Sequence, residues 1–190
     1  MGFAIVLICL VSNCIIGAFG HKFQTSQQPL VKDKTLKWVS ASDAFFSHLD
    51  PAGYEDNTVS FVARAQIAGS WIPGKAISWL GVTYLAYVPL DGEEITEIPN
   101  FQVLLAPPGT TSWVEAHDSV IPSLPVFGGN DPNTGESTYI CRGANINGTN
   151  LIPGKLILSQ GTCYLPHYVE FPVTKYEVLV VNAYGESIGV

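Results

Sequence analysis

The chain has 190 residues, of which 47% are hydrophobic and 13% are charged, and its formal net charge is -7 at pH 7. The hydrophobic fraction is ample for the core of one modest domain or of two small ones, and the few charges favour a β-rich secreted protein over a helical one. The negative charge argues against a nucleic-acid partner, whose phosphates need a basic patch.

The first predicted element is a secretory signal peptide over residues 1–20, which contain no charged side chain. Residues 3–11 form an apolar run, and Ala18-Phe19-Gly20 supplies small residues at the two positions that signal peptidase reads. Cleavage before His21 then predicts a secreted, extracellular protein with no later membrane span. The alternative is an uncleaved signal anchor, because the run approaches spanning length and no Lys or Arg precedes it.

Residues 21–37 are predicted to form a polar, flexible lead-in. The rest of the chain consists of two similar sequence repeats, a first repeat (residues 38–112) and a second repeat (residues 113–190). Ile72-Pro73-Gly74-Lys75 returns letter for letter as Ile152-Pro153-Gly154-Lys155. Blocks that keep their order while the spacers vary predict strands joined by surface loops, and two copies of any site that one repeat forms. The other recurring blocks are Trp38-Val39-Ser40-Ala41 as Trp113-Val114-Glu115-Ala116, Gly53 as Gly128, Phe61-Val62-Ala63-Arg64 as Tyr139-Ile140-Cys141-Arg142, Gly81-Val82-Thr83-Tyr84-Leu85 as Gly161-Thr162-Cys163-Tyr164-Leu165, and Phe101-Gln102-Val103-Leu104 as Tyr176-Glu177-Val178-Leu179.

Each repeat is predicted to consist of short strands. Residues 58–67 are β-branched and aromatic with partial alternation, and residues 156–168 behave likewise. Pro73-Gly74 and Pro153-Gly154 are interpreted as tight turns, because Pro fixes φ and Gly tolerates positive φ. The sequence therefore predicts an all-β fold in which two pseudo-symmetric repeats of small antiparallel sheets pack together as one sandwich-like domain.

Secretion changes the interpretation of the cysteines and of one asparagine. Signal removal leaves only Cys141 and Cys163, which an oxidising compartment allows to pair; a disulfide and two buried free thiols both remain open. The first repeat has Ala63 and Thr83 at the matching positions, so the fold does not need a bridge. Asn147-Gly148-Thr149 is an N-glycosylation sequon, and it lies in a spacer two residues longer than its counterpart.

The motifs of the second repeat carry a resemblance to a known family. In order they are Trp-Val-x-Ala, Pro-x-x-Pro-Val-x-Gly-Gly, Tyr-Ile-x-Arg, Ile-Pro-Gly-Lys, Cys-Tyr-Leu-Pro and Tyr-Glu-Val-Leu. Over residues 38–181 the chain resembles the DM-nine repeat family, whose best-understood members are invertebrate mannose-binding lectins of innate immunity. The resemblance implies a fold in which two repeats pack about a pseudo-twofold axis and share strands.

The same resemblance implies one sugar site in each repeat, formed by the lysine after the Pro-Gly pair and an acidic residue in the loop before the Tyr-x-x-Arg strand. Such a pair suits a sugar, because a carboxylate accepts hydrogen bonds from neighbouring hydroxyls and an ammonium donates to their oxygens. The alternative for each lysine is a solvated turn residue without a ligand. The residues implied are Lys75 with Asp56 or Glu55 in the first repeat, and Lys155 with Asp131 or Glu136 in the second.

Other polar residues do not indicate catalysis. Arg64 and Arg142 lie on otherwise apolar strands, where structural pairing with a carboxylate or carbonyls is favoured over lining a site. The four histidines share no spacing, and neither a nucleophile elbow nor a zinc-protease motif is present. The loop from Asp131 to Glu136 has its glycine at the wrong position for a calcium loop. We therefore expect no enzyme activity, no metal and no cofactor.

The leading hypothesis is a secreted glycoprotein that binds mannose-containing glycans in pattern recognition. The alternative is a secreted protein-interaction or structural module with decayed sugar sites, which the imperfect match of the acidic residues favours. A membrane-active toxin subunit is disfavoured, because the chain has no room for a pore-forming region. Neither nucleic acid nor a membrane is an expected partner, and a homodimer is an open possibility.

The processed form is testable by expression in a eukaryotic secretory pathway. We expect the secreted protein to begin at or near His21 and to carry a glycan on Asn147. N-terminal sequencing and the mass before and after glycosidase treatment measure the two parts. Retention of Met1 would contradict the first part, and a mass unchanged by the glycosidase would contradict the second.

Overall fold

The computed structural model describes residues 36–79, 83–97 and 100–182. The predicted signal peptide and all of the predicted lead-in except its last two residues lie outside these ranges. The described residues form β-strands and three short 3-10 helices (Ala41–Asp43, Phe46–His48 and Leu158–Gln160), with no α-helix among them. The all-β prediction is confirmed. The described ranges contain no helix that could span a lipid bilayer.

Seven strands come from each repeat. The strands of the first repeat are β1 (Lys37–Ser40), β2 (Gly53–Glu55), β3 (Thr58–Ile67), β4 (Ser70–Trp79), β5 (Thr83–Leu90), β6 (Glu93–Glu97) and β7 (Phe101–Leu105). The strands of the second repeat are β8 (Thr111–His117), β9 (Phe127–Asn130), β10 (Ser137–Ala144), β11 (Leu151–Ile157), β12 (Thr162–His167), β13 (Val169–Val173) and β14 (Lys175–Val181).

The strands join in one sheet in which counterpart strands of the two repeats occupy equivalent positions from the two edges. That order is β1-β7-β3-β4-β5-β6-β13-β12-β11-β10-β14-β8, with β2 and β9 off the main path. If each strand is exchanged for its counterpart in the other repeat, the same order is obtained in reverse. The centre of the sheet is the β6–β13 junction, where Glu93 pairs with Val169 in antiparallel register. The sandwich-like packing of the halves stays a prediction.

The repeats are also joined away from this junction. Strand β2 pairs with β3 of its own repeat and, through Tyr54 and Leu151, with β11 of the other. Each repeat has a hydrophobic core of its own, and a third cluster combines Val62 and Leu104 of the first repeat with Ile140 and Leu179 of the second. The two repeats therefore bury apolar surface against each other, which is the main favourable term in folding.

The predicted Pro-Gly turns are wrong, because both pairs lie inside strands. Pro73 and Gly74 belong to β4, and the equivalent Pro153-Gly154 belongs to β11. A Cβ atom added to Gly74 would lie 2.1 Å from the Tyr87 carbonyl oxygen, and one on Gly154 would lie 2.1 Å from that of Tyr164. The glycines are needed because the neighbouring strand leaves no room for a side chain.

The predicted match of Gly53 with Gly128 is displaced by one residue. A Cβ atom on Gly53 would lie 2.0 Å from the Leu151 carbonyl oxygen, and one on Gly129 would lie 1.9 Å from that of Trp71. Both contacts are made with the opposite repeat, and they identify Gly129 as the counterpart of Gly53. The second repeat supplies two adjacent glycines, and sequence matching paired the first of them.

A second match is displaced by three residues. Lys75 pairs in register with Tyr87, and Lys155 pairs with Tyr164, so Tyr87 rather than Tyr84 is the counterpart of Tyr164. Sequence matching aligned the nearest Tyr-Leu, because nothing in the letters marks which tyrosine faces the lysine.

Cys141 and Cys163 form a disulfide, with 6.1 Å between their Cα atoms. The bridge links β10 to β12 across the intervening β11. By strand register the first repeat has Ala63 and Ala86 at these two positions, rather than Ala63 and Thr83. Both alanines are fully buried. The first repeat therefore fills the equivalent space with two methyl groups.

The close strand approach predicts a large effect of Gly154→Ala. We expect this change to lower the free energy of unfolding by about 3 kcal/mol or more, because the obstructing atom is a backbone oxygen that cannot rotate away. Chemical denaturation measures the change.

Gly109→Ala is the matched control. Gly109 has a φ of +77° and nothing within 4 Å of an added Cβ atom. We expect Gly109→Ala to lower the free energy of unfolding by about 1 kcal/mol, because alanine is strained at this positive φ. Equal effects of the two changes would contradict the assigned role of Gly154.

Candidate functional site

The first cluster surrounds the ammonium group of Lys75, a residue that is only 2% exposed. Its Nζ atom contacts the Glu55 carboxylate, lies 3.0 Å from Oε1 of Glu94 and donates a hydrogen bond of 2.5 Å to the carbonyl of Pro166. The Tyr87 ring centroid lies 5.1 Å from the same atom. Two carboxylates, a carbonyl oxygen and an aromatic ring therefore replace the water that a charged amine would otherwise bind.

The second cluster repeats this arrangement around Lys155, which is also 2% exposed. Its Nζ atom lies 3.5 Å from Oδ2 of Asp131 and 3.0 Å from Oε1 of Glu170, and the Tyr164 ring centroid is 5.5 Å away. In strand register Asp131 corresponds to Glu55 and Glu170 to Glu94. Each repeat thus encloses one lysine between two carboxylates.

The interpretation of these lysines as exposed turn residues is wrong. Lys75 and Lys155 are among the largest fully buried side chains of the described residues, because they follow the strand glycines that admit a close neighbour. Burial of an unpaired ammonium group is prohibitive, so the carboxylates are a condition of this geometry.

The structure brings together some of the expected pairs and separates others. Glu55 and Asp131 contact the lysines. Asp56 instead accepts hydrogen bonds from Asn150 Nδ2 and the Tyr168 hydroxyl, both at 3.3 Å. Glu136, at the far end of its loop, accepts bonds from the amide and hydroxyl of Ser159 at 2.9 and 2.5 Å.

Sequence reasoning missed the second carboxylate of each cluster. Glu94 accepts a bond of 2.9 Å from the Tyr168 amide, and Glu170 accepts one of 2.8 Å from the Gly92 amide. Each glutamate is thus held by the hairpin turn of the opposite repeat. A signal was present, since a glutamate follows Pro89 by five residues and Pro166 by four.

The two clusters differ at their outer edge. His167 Nδ1 lies 2.6 Å from Oε1 of Glu55, and the His167 ring packs 4.7 Å from that of Tyr168. By register the counterpart of His167 is Leu90, which has no polar atom in its side chain. Tyr168 is 75% exposed and presents an aromatic surface beside the first cluster.

The surroundings of Asp131 keep its carboxylate ionised. Burial raises its pKa, but the backbone N–H of Thr134, the charge of Lys155 and the backbone N–H of Asn133 together lower the pKa below its usual value. The two N–H groups donate to Oδ1 at 3.0 Å. The pKa of Tyr164 is raised, because the side chain is partly buried and lies near the carboxylates of Glu170 and Asp131.

The strand arginines connect the repeats. Arg64 donates to the Gln102 side chain at 2.7 and 2.9 Å and to the Gly128 carbonyl at 3.3 Å. Arg142 donates to both oxygens of Glu177, at 2.6 and 3.1 Å, and to the Ala52 carbonyl at 2.8 Å. Each guanidinium therefore reaches the backbone of the opposite repeat and has a structural role. Burial lowers the pKa of Arg64 to about 10.

The sequon asparagine is accessible. Asn147 is exposed in the loop between β10 and β11, which the Asn145 side chain organises by accepting bonds from the amides of Thr149 and Asn150 at 3.0 and 3.2 Å. Glycosylation stays a prediction. In the part of the chain that the structure describes, no group of three or more His, Cys, Asp or Glu residues could hold a metal ion.

Comparison with models of protein families gives a match. The family model described as DM9 repeat matches residues 54–171, which is more than half of the chain. The matched segment contains both lysines and all four of their carboxylate partners. No curated protein sequence matches the chain.

The lowered pKa of Asp131 predicts a pH-dependent contribution to stability. The ionised form is favoured in the folded state, so its contribution is present above the unfolded pKa of about 3.9 and is lost as the pH falls through the folded value. We expect Asp131→Asn to lower the free energy of unfolding by about 1.5–3 kcal/mol at pH 7 and by progressively less below pH 4.

Urea denaturation at several pH values measures this effect. Glu136→Gln is the control, because it removes a half-buried carboxylate of the same loop that contacts Ser159 rather than Lys155. A difference between Asp131→Asn and the wild type that is independent of pH would contradict the prediction.

Proposed function

Because the chain belongs to the DM9 repeat family, we propose that it is a secreted carbohydrate-binding protein that recognises mannose-type glycans through one site in each repeat. The observation that carries this proposal is the duplicated cluster of one buried ammonium group between two carboxylates. Secretion, pattern recognition and the absence of enzyme activity belong to the same proposal.

The energetic cost of the clusters supports a role in binding. Enclosing three charged groups costs desolvation free energy, and well-packed apolar residues of similar volume often give a more stable fold. Both repeats nevertheless contain the cluster, although their loops differ in length and sequence. A ligand that uses the carboxylates accounts for an arrangement that stability alone does not favour.

The chemistry suits vicinal hydroxyl groups. The side chains of Glu55 and Glu94 are 10% and 13% exposed, and those of Asp131 and Glu170 are 6% and 12% exposed. Oε1 of Glu55, Oε2 of Glu94 and Oε2 of Glu170 each contact one polar group of the protein, so a second lone pair of each oxygen can accept a hydrogen bond from a sugar hydroxyl. Oδ1 of Asp131 already accepts three hydrogen bonds from the protein, which leaves Oδ2 as its oxygen for a sugar. An ionised acceptor strengthens such bonds. The lysine aligns the two carboxylates, because its ammonium group lies within 3.5 Å of both.

The edge of the first cluster offers a surface for the apolar face of a sugar. Tyr168 is exposed there, and its hydroxyl is fixed by Asp56. At the corresponding turn of the second cluster, Asn133 Nδ2 donates a 2.7 Å bond to Asp91. The two sites therefore differ in polarity, and a glycan with many branches gains by occupying both.

One observation favours the alternative of an interaction or structural module. The acceptors around Lys75 all belong to the protein, so the ammonium group is satisfied without a ligand. If the wild-type protein binds no glycan, the clusters are internal ion pairs and the module function replaces the lectin function.

A binding assay on a mannan-coated surface tests the proposal. We expect Glu55→Gln and Asp131→Asn each to weaken binding about tenfold or more, because each removes a charged acceptor worth about 1.5–3 kcal/mol. The double variant should lose detectable binding, since the two-site advantage disappears as well.

Glu136→Gln is the matched control and should bind like the wild type. Thermal melting of every variant separates loss of binding from loss of fold. Unchanged mannan binding by the folded double variant would overturn the assignment of these clusters as sugar sites.

A further inference from the structure

We propose that the second repeat contains an additional binding cleft for an uncharged planar aromatic group, at a place where the first repeat holds a tryptophan of its own. A cavity of about 690 Å³ lies here, and none of its lining residues belongs to the lysine clusters. The residues that matter are Arg142 on β10, Leu151 on β11, Glu115 on β8, and Lys175 and Glu177 on β14.

Strand register identifies the equivalent place in the first repeat. Arg64 pairs with Pro73 just as Arg142 pairs with Pro153, so Trp71 and Leu151 occupy matching positions two residues earlier. The Trp71 ring centroid lies 4.6 Å from the Arg64 guanidinium carbon. The first repeat thus shows which group this backbone geometry accommodates beside its arginine.

The two arginines differ in how their flat faces are covered. Arg64 contacts two indole rings, those of Trp71 and of Trp38, the latter at 4.2 Å. Arg142 contacts Trp113 at 4.3 Å, and its second position is held by Leu151, which has no ring. A second residue that lines the cleft is also smaller than its counterpart, since Ala144 occupies the register position of Gln66. The cleft follows from these two shorter side chains.

The hydrogen bonds of Arg142 leave stacking as the interaction available to a ligand. Its N–H groups are directed to Glu177 and to the Ala52 carbonyl, so they are engaged in the plane of the group. The positive guanidinium group is attracted by the quadrupole of an electron-rich ring that stacks over its face. Among protein side chains, indole gives the strongest such contact.

The charges around the cleft select an uncharged ligand. Arg142 and Lys175 are balanced by Glu177 and Glu115, so the lining carries no net charge from these four groups. His117 at the rim lies 3.0 Å from the carboxylate of Asp118. A charged ring would meet an unfavourable partner on either side, whereas a neutral indole would not.

The probes are indole and N-acetyl-L-tryptophanamide, titrated into the full mature protein, with N-acetyl-L-leucinamide as the non-aromatic comparison. We expect both aromatic probes to shift the NMR amide signals of Gly143 and Ala144 at millimolar concentration, and the leucine compound to leave them unchanged. Tighter binding of the tryptophanamide identifies a polypeptide side chain as the source of the ring, and tighter binding of indole identifies a small molecule.

Leu151→Trp should fill the cleft from within and weaken binding of both probes by about tenfold or more. Mannan binding by the same variant should be unchanged, which separates this cleft from the proposed sugar sites. Trp71→Leu combined with Gln66→Ala should open a second cleft and raise the number of bound probes from one to two. Ala144→Gln narrows the cleft without removing a tryptophan and should also weaken binding, so it serves if the double variant does not fold. The inference is overturned if the aromatic probes cause no shifts, or if Leu151→Trp binds them as the wild type does.

Discussion

Close backbone contact is the constraint on which the rest of this structure depends. Gly53 and Gly129 let each repeat bring its short β2 or β9 strand against the backbone of the other, and Gly74 and Gly154 do the same between neighbouring strands of one repeat. One of the two acidic residues of each cluster, Glu55 or Asp131, lies two positions after Gly53 or Gly129. The lysine directly follows Gly74 or Gly154. The distance between ammonium and carboxylate is therefore set by contacts that exclude a single methyl group.

Neither charged cluster is the product of one repeat alone. The second repeat holds Glu94 through the Tyr168 amide of its β12–β13 turn, and its strand β12 supplies the Pro166 carbonyl to Lys75. In return, the Gly92 amide of the first repeat holds Glu170. The arginines act in the same sense, because Arg64 and Arg142 each donate to a carbonyl of the opposite repeat. Loosening the contact between repeats would therefore disturb both clusters at once.

Much of the fold could be predicted from the sequence, because the same pattern of residues occurs in both repeats. The all-β class follows from strand-like segments. Lys75 and Lys155 end identical four-residue blocks, and the family resemblance is what implied a site at them. The burial of the lysines could not be predicted, since a Pro-Gly pair has the same letters in a turn as in a strand that lacks room for a side chain. Glu94 and Glu170 were missed because the family resemblance pointed only to the loops before β3 and β10. These glutamates reach the lysines through the pairing of β6 with β5 and of β13 with β12, which the letters do not show.

The palindromic strand order has a consequence for the origin of the protein. A fold whose two halves contact each other through matching surfaces can also be formed by two separate molecules of half the length. Joining the halves in one chain releases each copy from the requirement to fit itself, because a change in one half no longer appears in both. Cys141 and Cys163 in the place of two alanines, and Leu151 in the place of Trp71, are differences of this kind. Covalent fusion thus turns one duplicated architecture into two halves that can acquire separate chemistry.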